Sequence, residues 1–119
     1  MLAPSPIQVT HTVQNGSGVF AVQSFAAGDF IEYFEGHPSP IRTRYSVFLE
    51  GVHIEPTGTL KYLNHCCDPN AYFEGRNLMA LRPITPGQEI TINYKATETE
   101  LANPFHCHCG AANCAGWIE

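Results

Sequence analysis

The sequence predicts a mainly β protein with a single domain, and three observations lead to that expectation. The chain has 119 residues, which is the length of one ordinary domain. Its ten glycines and nine prolines make up about 16% of the chain, compared with roughly 12% in average domains. They divide the chain into short runs. Those runs are rich in β-branched and aromatic residues, and no segment shows sustained helical periodicity.

Eight short segments are predicted to be strands, because each joins β-branched and aromatic residues between turn signals. In chain order they are residues 7–13, 19–23, 30–34, 45–49, 52–55, 71–73, 78–81 and 89–94. Alternation is clearest in Ile90-Thr-Ile-Asn-Tyr94, which predicts a strand with one buried face. Turns are expected where glycine can supply a positive φ, and single helical turns at two further places. The turns are residues 15–18, 27–29 and 86–88, and the helical turns are residues 60–63 and 97–102.

The charge and hydropathy of the chain exclude several classes of protein. Six Lys and Arg residues against eleven Asp and Glu residues give a formal net charge of −5. No basic stripe is present, so no direct nucleic-acid binding is expected. No apolar run reaches the ~18 residues of a membrane span, and the start of the chain does not resemble a signal peptide, so no membrane association is expected. The acidic balance is compatible with a basic partner such as a lysine-rich protein tail.

The five cysteines favour a metal site over disulfides. An odd count without a signal peptide is typical of a reducing compartment, the cytoplasm or the nucleus, where clustered cysteines bind metals or take part in catalysis. Three of them, Cys107, Cys109 and Cys114, form a Cys-x-Cys-x4-Cys run, whose shortest spacing is poor geometry for a disulfide. Tetrahedral zinc needs four donors. The fourth ligand is therefore expected from Cys66 or Cys67, which would tie the tail to the body of the chain.

Four segments carry motifs that occur together in one known family. One is residues 61–70, which read Lys-Tyr-Leu-Asn-His-Cys-Cys-Asp-Pro-Asn. The others are residues 16–21 (Gly-Ser-Gly-Val-Phe-Ala), 87–94 (Gly-Gln-Glu-Ile-Thr-Ile-Asn-Tyr) and 105–118, which include the clustered cysteines. In chain order they resemble the Gly-x-Gly stretch, the Asn-His-Ser-Cys-x-Pro-Asn signature, the Gly-Glu-Glu-Leu-Thr-x-x-Tyr strand and the post-SET zinc module of SET-domain protein lysine methyltransferases. Cys66 stands where the signature has serine.

The resemblance, which spans nearly the whole chain, implies the SET-domain fold. That fold consists of several small sheets with a pseudoknot-like crossing, in which one segment passes under another loop. It implies a SET domain over residues 1–103 and a post-SET zinc-binding segment over residues 104–119. The Asn103-Pro104 pair marks the boundary between them, since proline ends regular structure.

The activity that the resemblance implies is methylation of a lysine in a protein, with S-adenosylmethionine as the cofactor and a histone or another basic tail as the substrate. Such a transfer needs a neutral amine, and a free lysine with a pKa of ~10.4 costs about 4.6 kcal/mol to deprotonate at pH 7. A narrow aromatic channel lowers this cost by desolvating the ammonium. One alternative is a non-catalytic, zinc-bound SET module that binds protein. Another is a small secreted disulfide protein.

The same resemblance assigns roles to individual residues. The implied catalytic residues are Tyr94, which would orient the amine at the methyl group, and Tyr45, a second hydroxyl at the lysine channel. The implied cofactor-binding residues are Gly16, Gly18, Lys61, Tyr62, Asn64, His65 and Tyr94. The implied channel walls are Phe73 and Ile92. One structural Zn²⁺ would be bound by Cys67, Cys107, Cys109 and Cys114.

Simpler alternatives exist for several of these residues. Tyr94 and Tyr45 could be ordinary strand tyrosines. Gly16 and Gly18 could form only a hairpin turn. Core packing alone would explain an apolar channel wall.

Overall fold

The computed structural model describes residues 5–12 and 16–119, and their architecture is mainly β, as predicted. Within these ranges the chain forms twelve strands, two short 3₁₀ turns and no α-helix. The strands are β1 (Ile7–Thr12), β2 (Gly16–Ala21), β3 (Phe30–Tyr33), β4 (Gly36–Ser39), β5 (Val47–Leu49), β6 (Val52–Pro56), β7 (Asn64–His65), β8 (Ala71–Glu74), β9 (Asn77–Ala80), β10 (Glu89–Ile92), β11 (Phe105–His106) and β12 (Trp117–Ile118). The 3₁₀ turns are Thr59–Tyr62 and Tyr94–Ala96.

In the described part of the chain, the strands form three small sheets and a C-terminal hairpin. The sheet orders are β1-β2-β10-β7, β3-β9-β8 and β4-β6-β5, and β11 pairs with β12. Strand β10 is antiparallel to β2 and parallel to β7. In the parallel pair, Thr91 lies opposite Asn64 and Ile92 lies opposite His65. This parallel contact places the motifs 61–70 and 87–94 side by side. The pseudoknot-like crossing itself stays a prediction.

One hydrophobic core joins the three sheets. Its most buried large side chains are each at most 2% exposed, and they are Ile7, Val19, Phe34, Leu78, Ile84 and Ile90. A second, much smaller cluster lies under the C-terminal hairpin, where Cys67, Cys107 and Ile118 are buried. Because this cluster has so few apolar side chains, it buries little apolar surface. A bound metal ion would add to its stability.

Several element boundaries differ from the prediction for local reasons. The strand predicted at 45–49 begins at Val47, because Thr43 and Ser46 close a turn through two side-chain-to-backbone hydrogen bonds of 2.8 and 3.0 Å. The strand predicted at 89–94 ends at Ile92. There the Asn93 side chain accepts a hydrogen bond from the backbone of Lys95 and begins a 3₁₀ turn. The helical turn expected at 97–102 therefore lies three residues earlier.

The predicted turns are confirmed in two places out of three. Gly28 and Gly87 have φ values of 87° and 90° in the turns expected at 27–29 and 86–88. In the turn expected at 15–18, the described residues instead begin strand β2. Asn15, together with the predicted strand end at Val13, lies outside the described residues, as do residues 1–4 of the predicted SET domain.

Candidate active site and cysteine cluster

A cleft of about 870 Å³ opens where β7 and β10 meet the C-terminal segment. Its volume falls within the roughly 300–1,000 Å³ that is typical of small-molecule sites. Three stretches provide most of its lining, residues 42–47, 61–66 and 101–109. The rest comes from Ser17 of β2, from β10 and from the turn that follows β10. Seven predicted site residues that are not zinc ligands line it: Tyr45, Lys61, Tyr62, Asn64, His65, Ile92 and Tyr94.

Two hydrogen bonds connect Tyr94 to the segment that contains β7, one from its hydroxyl and one from its backbone N–H. The hydroxyl donates a hydrogen bond to the carbonyl oxygen of Leu63 at 2.6 Å, and the backbone N–H donates to Nδ1 of His65 at 3.0 Å. Burial raises the pKa of Tyr94 to about 12, with a further contribution from the negative charge of Glu89. The phenol therefore stays protonated at neutral pH.

His65 lies between Tyr94 and the cysteines. Its ring centroid is 5.2 Å from that of Tyr94 and 5.7 Å from that of Phe105. Its Nε2 atom is 3.3 Å from Sγ of Cys67. Because Nδ1 accepts from the Tyr94 N–H, the neutral ring carries its hydrogen on Nε2, facing the sulfur. Burial lowers the pKa of His65, which favours this neutral form.

Asn64 takes part in a separate set of hydrogen bonds, across the four-stranded sheet. Its Nδ2 donates to the Ser17 carbonyl at 3.0 Å and to Oε2 of Glu89 at 2.7 Å. Gly18 provides the room for this pair. A Cβ at Gly18 would lie 2.5 Å from Oε2 of Glu89 and 3.1 Å from Nδ2 of Asn64. The absence of a side chain at Gly18 thus preserves the Asn64–Glu89 pair, and direct contact of Gly18 with a cofactor stays a prediction.

A second group of side chains in the cleft combines cations with aromatic rings. Nζ of Lys61 lies 4.7 Å from the ring centroid of Tyr45 and 6.0 Å from that of Tyr62. Cζ of Arg44 is 5.6 Å from the Tyr45 centroid. Both distances to Tyr45 are within the range of cation–π attraction. Tyr45 is 38% exposed, so its ring remains accessible from the cleft.

The cysteine cluster has the composition and spacing of a tetrahedral zinc site. Its four Sγ atoms lie within 4.8 Å of one another, and they belong to Cys67, Cys107, Cys109 and Cys114. Thiolates about 2.3 Å from a central zinc ion are about 3.8 Å apart, and the Sγ atoms of Cys67 and Cys107 are 3.9 Å apart. That distance is far above the ~2.05 Å of a disulfide. Cys66 is not in this set, and its thiol donates instead to the carbonyl of Asp68 at 3.4 Å.

The thiols of the cluster ionise unequally. Burial raises the pKa of Cys107 to about 12. Hydrogen bonds with the backbone at Cys67 and Ala111 lower the pKa of Cys109 to about 6. Binding of zinc at this cluster would release protons from the thiols that are still protonated at neutral pH.

Three predicted residues outside the cysteine cluster, Phe73, Gly16 and Gly18, do not line the cleft. The ring of Phe73 packs edge-on against Phe34 with centroids 5.5 Å apart, which is a core position, and its role as a channel wall stays a prediction. Gly16 begins β2 with a φ of 68°, and its neighbour Ser17 lines the cleft instead.

Two residues of the site, Glu89 and Phe105, were not predicted from the sequence. Glu89 lies inside the motif 87–94, and an acidic residue at a predicted strand start is a signal that could have identified it. Phe105 packs against Tyr94 with ring centroids 5.9 Å apart. It begins the motif 105–118, but nothing in that motif indicates that its ring would reach Tyr94. In the described residues, no helix has the length and apolar character that a membrane crossing requires.

Comparisons with known proteins agree with one another. The family model described as SET domain matches residues 16–95. The chain is 37% identical over 86 residues to "Methyltransferase flvH" of Aspergillus flavus, covering 68% of this chain and 48% of that relative. It is 31% identical over 141 aligned residues to "Histone-lysine N-methyltransferase Set2" of Drosophila melanogaster, covering 95% of this chain and 6% of that relative. The chain therefore spans about half of the first relative and a small part of the second.

A solved structure shares the fold over most of the chain. It is the crystal structure of KRYPTONITE in complex with mCHH DNA, H3(1-15) peptide and SAH. The TM-score is 0.72 at 20% sequence identity, and the likeness covers 95% of this chain and 29% of that one.

Proposed function

Because the chain belongs to the SET-domain family, whose model matches residues 16–95, we propose that it methylates a lysine side chain of a protein with S-adenosylmethionine as the methyl donor. The observation that carries this proposal is the placement of Tyr94. Its hydroxyl is bonded to the Leu63 carbonyl at 2.6 Å at the edge of a cleft large enough for the cofactor. The lining of that cleft includes the family's Asn64-His65 pair.

The proposed chemistry requires positioning rather than a strong base. S-adenosylmethionine, when bound, supplies an electrophilic methyl group on a positively charged sulfonium. Because the pKa of Tyr94 is about 12, its hydroxyl remains a donor at neutral pH and does not deprotonate the target lysine. The phenol oxygen can still accept a hydrogen bond from the amine and orient its lone pair. The proton leaves to water, and orientation supplies much of the remaining rate enhancement.

The residues of the cleft fit the chemical groups of S-adenosylmethionine. Lys61 supplies a cation suited to the cofactor's carboxylate, and the rings of Tyr45 and Tyr62 offer faces on which the adenine can stack. The hydrogen bonds described for Asn64 both use Nδ2, so Oδ1 is the atom that would accept from the cofactor's amino group. Gly16, Gly18, His65 and Tyr94 complete the proposed cofactor-binding set. Ile92 and Phe73 are the proposed channel walls.

A structural Zn²⁺ is the second proposed ligand of the protein. The mutual distances of its four proposed ligands, all within 4.8 Å, support this assignment. The ion would hold the proposed post-SET segment, residues 104–119, against the SET domain, residues 1–103. The tail would then close the cleft, since residues 101–109 line it.

The proposed substrate is a basic protein tail, with a histone as the leading candidate. The net charge of −5 favours a basic partner, and the relative Set2 is named a histone-lysine methyltransferase. The five free thiols support a reducing intracellular compartment, either cytoplasm or nucleus. The competing function is that of a non-catalytic module that only binds protein. The hydroxyl of Tyr94, which is protonated and hydrogen-bonded to the Leu63 carbonyl, favours the enzyme.

The experiment that tests this proposal has two steps. Calorimetry with the zinc-loaded protein should detect heat on addition of S-adenosylmethionine, whereas a module that only binds protein would give none. Radiolabelled cofactor should then transfer its methyl group to at least one member of a panel of histones and other basic proteins. Cofactor binding without transfer to any member would contradict the proposed substrate class, and the absence of cofactor binding would contradict the enzyme itself.

A further inference from the structure

One imidazole connects the proposed catalytic tyrosine to the cysteine cluster. Nδ1 of His65 accepts the backbone N–H of Tyr94 at 3.0 Å. Nε2 of the same ring lies 3.3 Å from Sγ of Cys67. Both ring nitrogens are therefore engaged, and each faces a different functional group. The rings of Tyr94 and Phe105 limit the orientation of the imidazole, at centroid distances of 5.2 and 5.7 Å.

Cys67 is the cluster cysteine through which the body of the chain meets the tail. The other three proposed ligands lie in the tail, whereas Cys67 lies two residues after the end of β7. Its Sγ also accepts the backbone N–H of Ala115 at 3.3 Å, and its carbonyl accepts Nδ2 of Asn113 at 3.0 Å. Ionisation of this sulfur or its binding to a metal ion would therefore alter its contact with His65 on one side and its contacts with the tail on the other.

We propose that His65 is a positioning residue that links metal binding at the cysteine cluster to the placement of Tyr94. The inference rests on the proposed function and on the proposed metal. A metal-bound thiolate accepts a hydrogen bond more strongly than a neutral thiol does. Metal occupancy therefore fixes the imidazole through Nε2–H, and the imidazole in turn fixes the backbone of Tyr94 through Nδ1. Side chains that hydrogen-bond to metal ligands commonly affect metal affinity or activity when they are substituted.

Two substitutions separate the two hydrogen bonds of His65. In His65→Asn, the side-chain oxygen can take the place of Nδ1 and accept from Tyr94, but the side chain is too short to reach Sγ of Cys67. In His65→Gln, the longer amide can donate to that sulfur, but no acceptor remains beside the Tyr94 N–H. Each variant therefore keeps one of the two hydrogen bonds and loses the other.

Cobalt substitution reports on the contact of His65 with Cys67, and turnover reports on its hydrogen bond with Tyr94. In His65→Asn, the thiolate-to-cobalt absorption bands should shift and metal affinity should fall about tenfold, which is the low end of such effects. In His65→Gln, the bands and the metal affinity should stay near those of the unaltered protein, while kcat at saturating cofactor falls about tenfold. His37→Gln is the matched control, since His37 is exposed on β4 and does not line the cleft, and it should change neither quantity.

A third measurement uses the unaltered protein and does not depend on activity. Exchange of zinc for cadmium should move the NMR resonances of both His65 Nε2 and the Tyr94 backbone amide. If the Nε2 resonance moves and the Tyr94 amide does not, the link is contradicted. An unaltered cobalt spectrum in His65→Asn, or unaltered turnover in His65→Gln, would also overturn it. If the protein methylates nothing, the proposed function fails, and the NMR and cobalt results still decide the role of His65.

Discussion

The hydroxyl of Tyr94 donates to a carbonyl in the same segment that contains Asn64 and His65. Tyr94→Phe removes this 2.6 Å hydrogen bond and keeps the ring contacts with His65 and Phe105. Stability should fall by only about 0.5–1.5 kcal/mol, the net value of one hydrogen bond. We expect kcat to fall tenfold or more, at least ~1.4 kcal/mol of transition-state stabilisation. Cofactor affinity should change less than kcat, because an interaction made mainly in the transition state acts on kcat.

The measurements for this variant are kcat, the calorimetric Kd of S-adenosylmethionine and thermal unfolding, all with zinc bound. A tyrosine that only packs in the core would show the reverse order, with stability lowered and kcat preserved. Full activity of Tyr94→Phe would remove it from the proposed catalytic role.

The raised pKa of Tyr94 predicts a particular pH profile. The hydroxyl stays protonated up to a pKa of about 12, while deprotonation of a target lysine with a pKa of ~10.4 becomes easier as pH rises. The value of kcat/KM should therefore increase from about pH 7 to 9.5 without a descending limb caused by Tyr94. The same raised pKa contributes stability that is complete below the ordinary tyrosine pKa of ~10 and is lost as pH rises toward 12.

Initial rates across this pH range test the profile directly. Tyrosinate absorbance gives a second measurement, since the ionisation near pH 12 should be missing in Tyr94→Phe. A descending limb near pH 8 that disappears in Tyr94→Phe would show that the phenol ionises much earlier than burial implies.

At the scale of elements, strand β10 and its neighbours show what the sequence does and does not predict. The alternation of Ile90 to Tyr94 correctly indicates a strand with a buried face, but it cannot reveal that the Asn93 side chain ends the strand by capping a turn. Strand β4 was not expected, because Gly36 and Pro38 disfavour strands. It forms because it pairs with β6 along its whole length, a contact that is not local in sequence.

The contact between β2 and β10 yields a prediction at Gly18. Gly18→Ala places a methyl group 2.5 Å from Oε2 of Glu89 and should displace the Asn64–Glu89 pair. We expect a loss of about 1–3 kcal/mol in stability, as for other overpacked sites, and weaker binding of S-adenosylmethionine. Gly58→Ala is the matched control, because nothing lies within 4 Å of its added Cβ and its φ is not positive. Denaturant unfolding and calorimetry on both variants test this, and equal behaviour of the two would contradict it.

At the scale of the whole molecule, the cysteine cluster brings one cysteine of the body of the chain, Cys67, together with three cysteines of the tail. Sequence motifs identify Asn64, His65 and Tyr94, and these residues do line one cleft, because β7 and β10 are adjacent in the sheet. The position of Phe105 was not predictable in the same way. Its contact with Tyr94 depends on the tail folding back over the sheet, and no periodic pattern in residues 104–119 encodes that arrangement.

Removal of one ligand should therefore release the metal and the tail together. Cys109→Ser should abolish the one zinc ion per chain that elemental analysis is expected to find, and amide exchange should accelerate across residues 104–119. Turnover should also fall, since the tail lines the cleft. Cys66→Ser is the matched control, because Cys66 is outside the four-thiol set, and it should retain zinc. Zinc retained in Cys109→Ser, or lost in Cys66→Ser, would show that the ligand set is wrong.

The most direct test of the central claim is mass spectrometry of a basic protein after incubation with the zinc-loaded chain and S-adenosylmethionine. Histones are the first substrates to use, and Tyr94→Phe with the same zinc content is the parallel reaction. The account predicts methylation mapped to a lysine in the unaltered reaction and at least tenfold less in the Tyr94→Phe reaction. Equal methylation by both proteins, or cofactor binding with no methylated lysine in any basic protein tested, would contradict it.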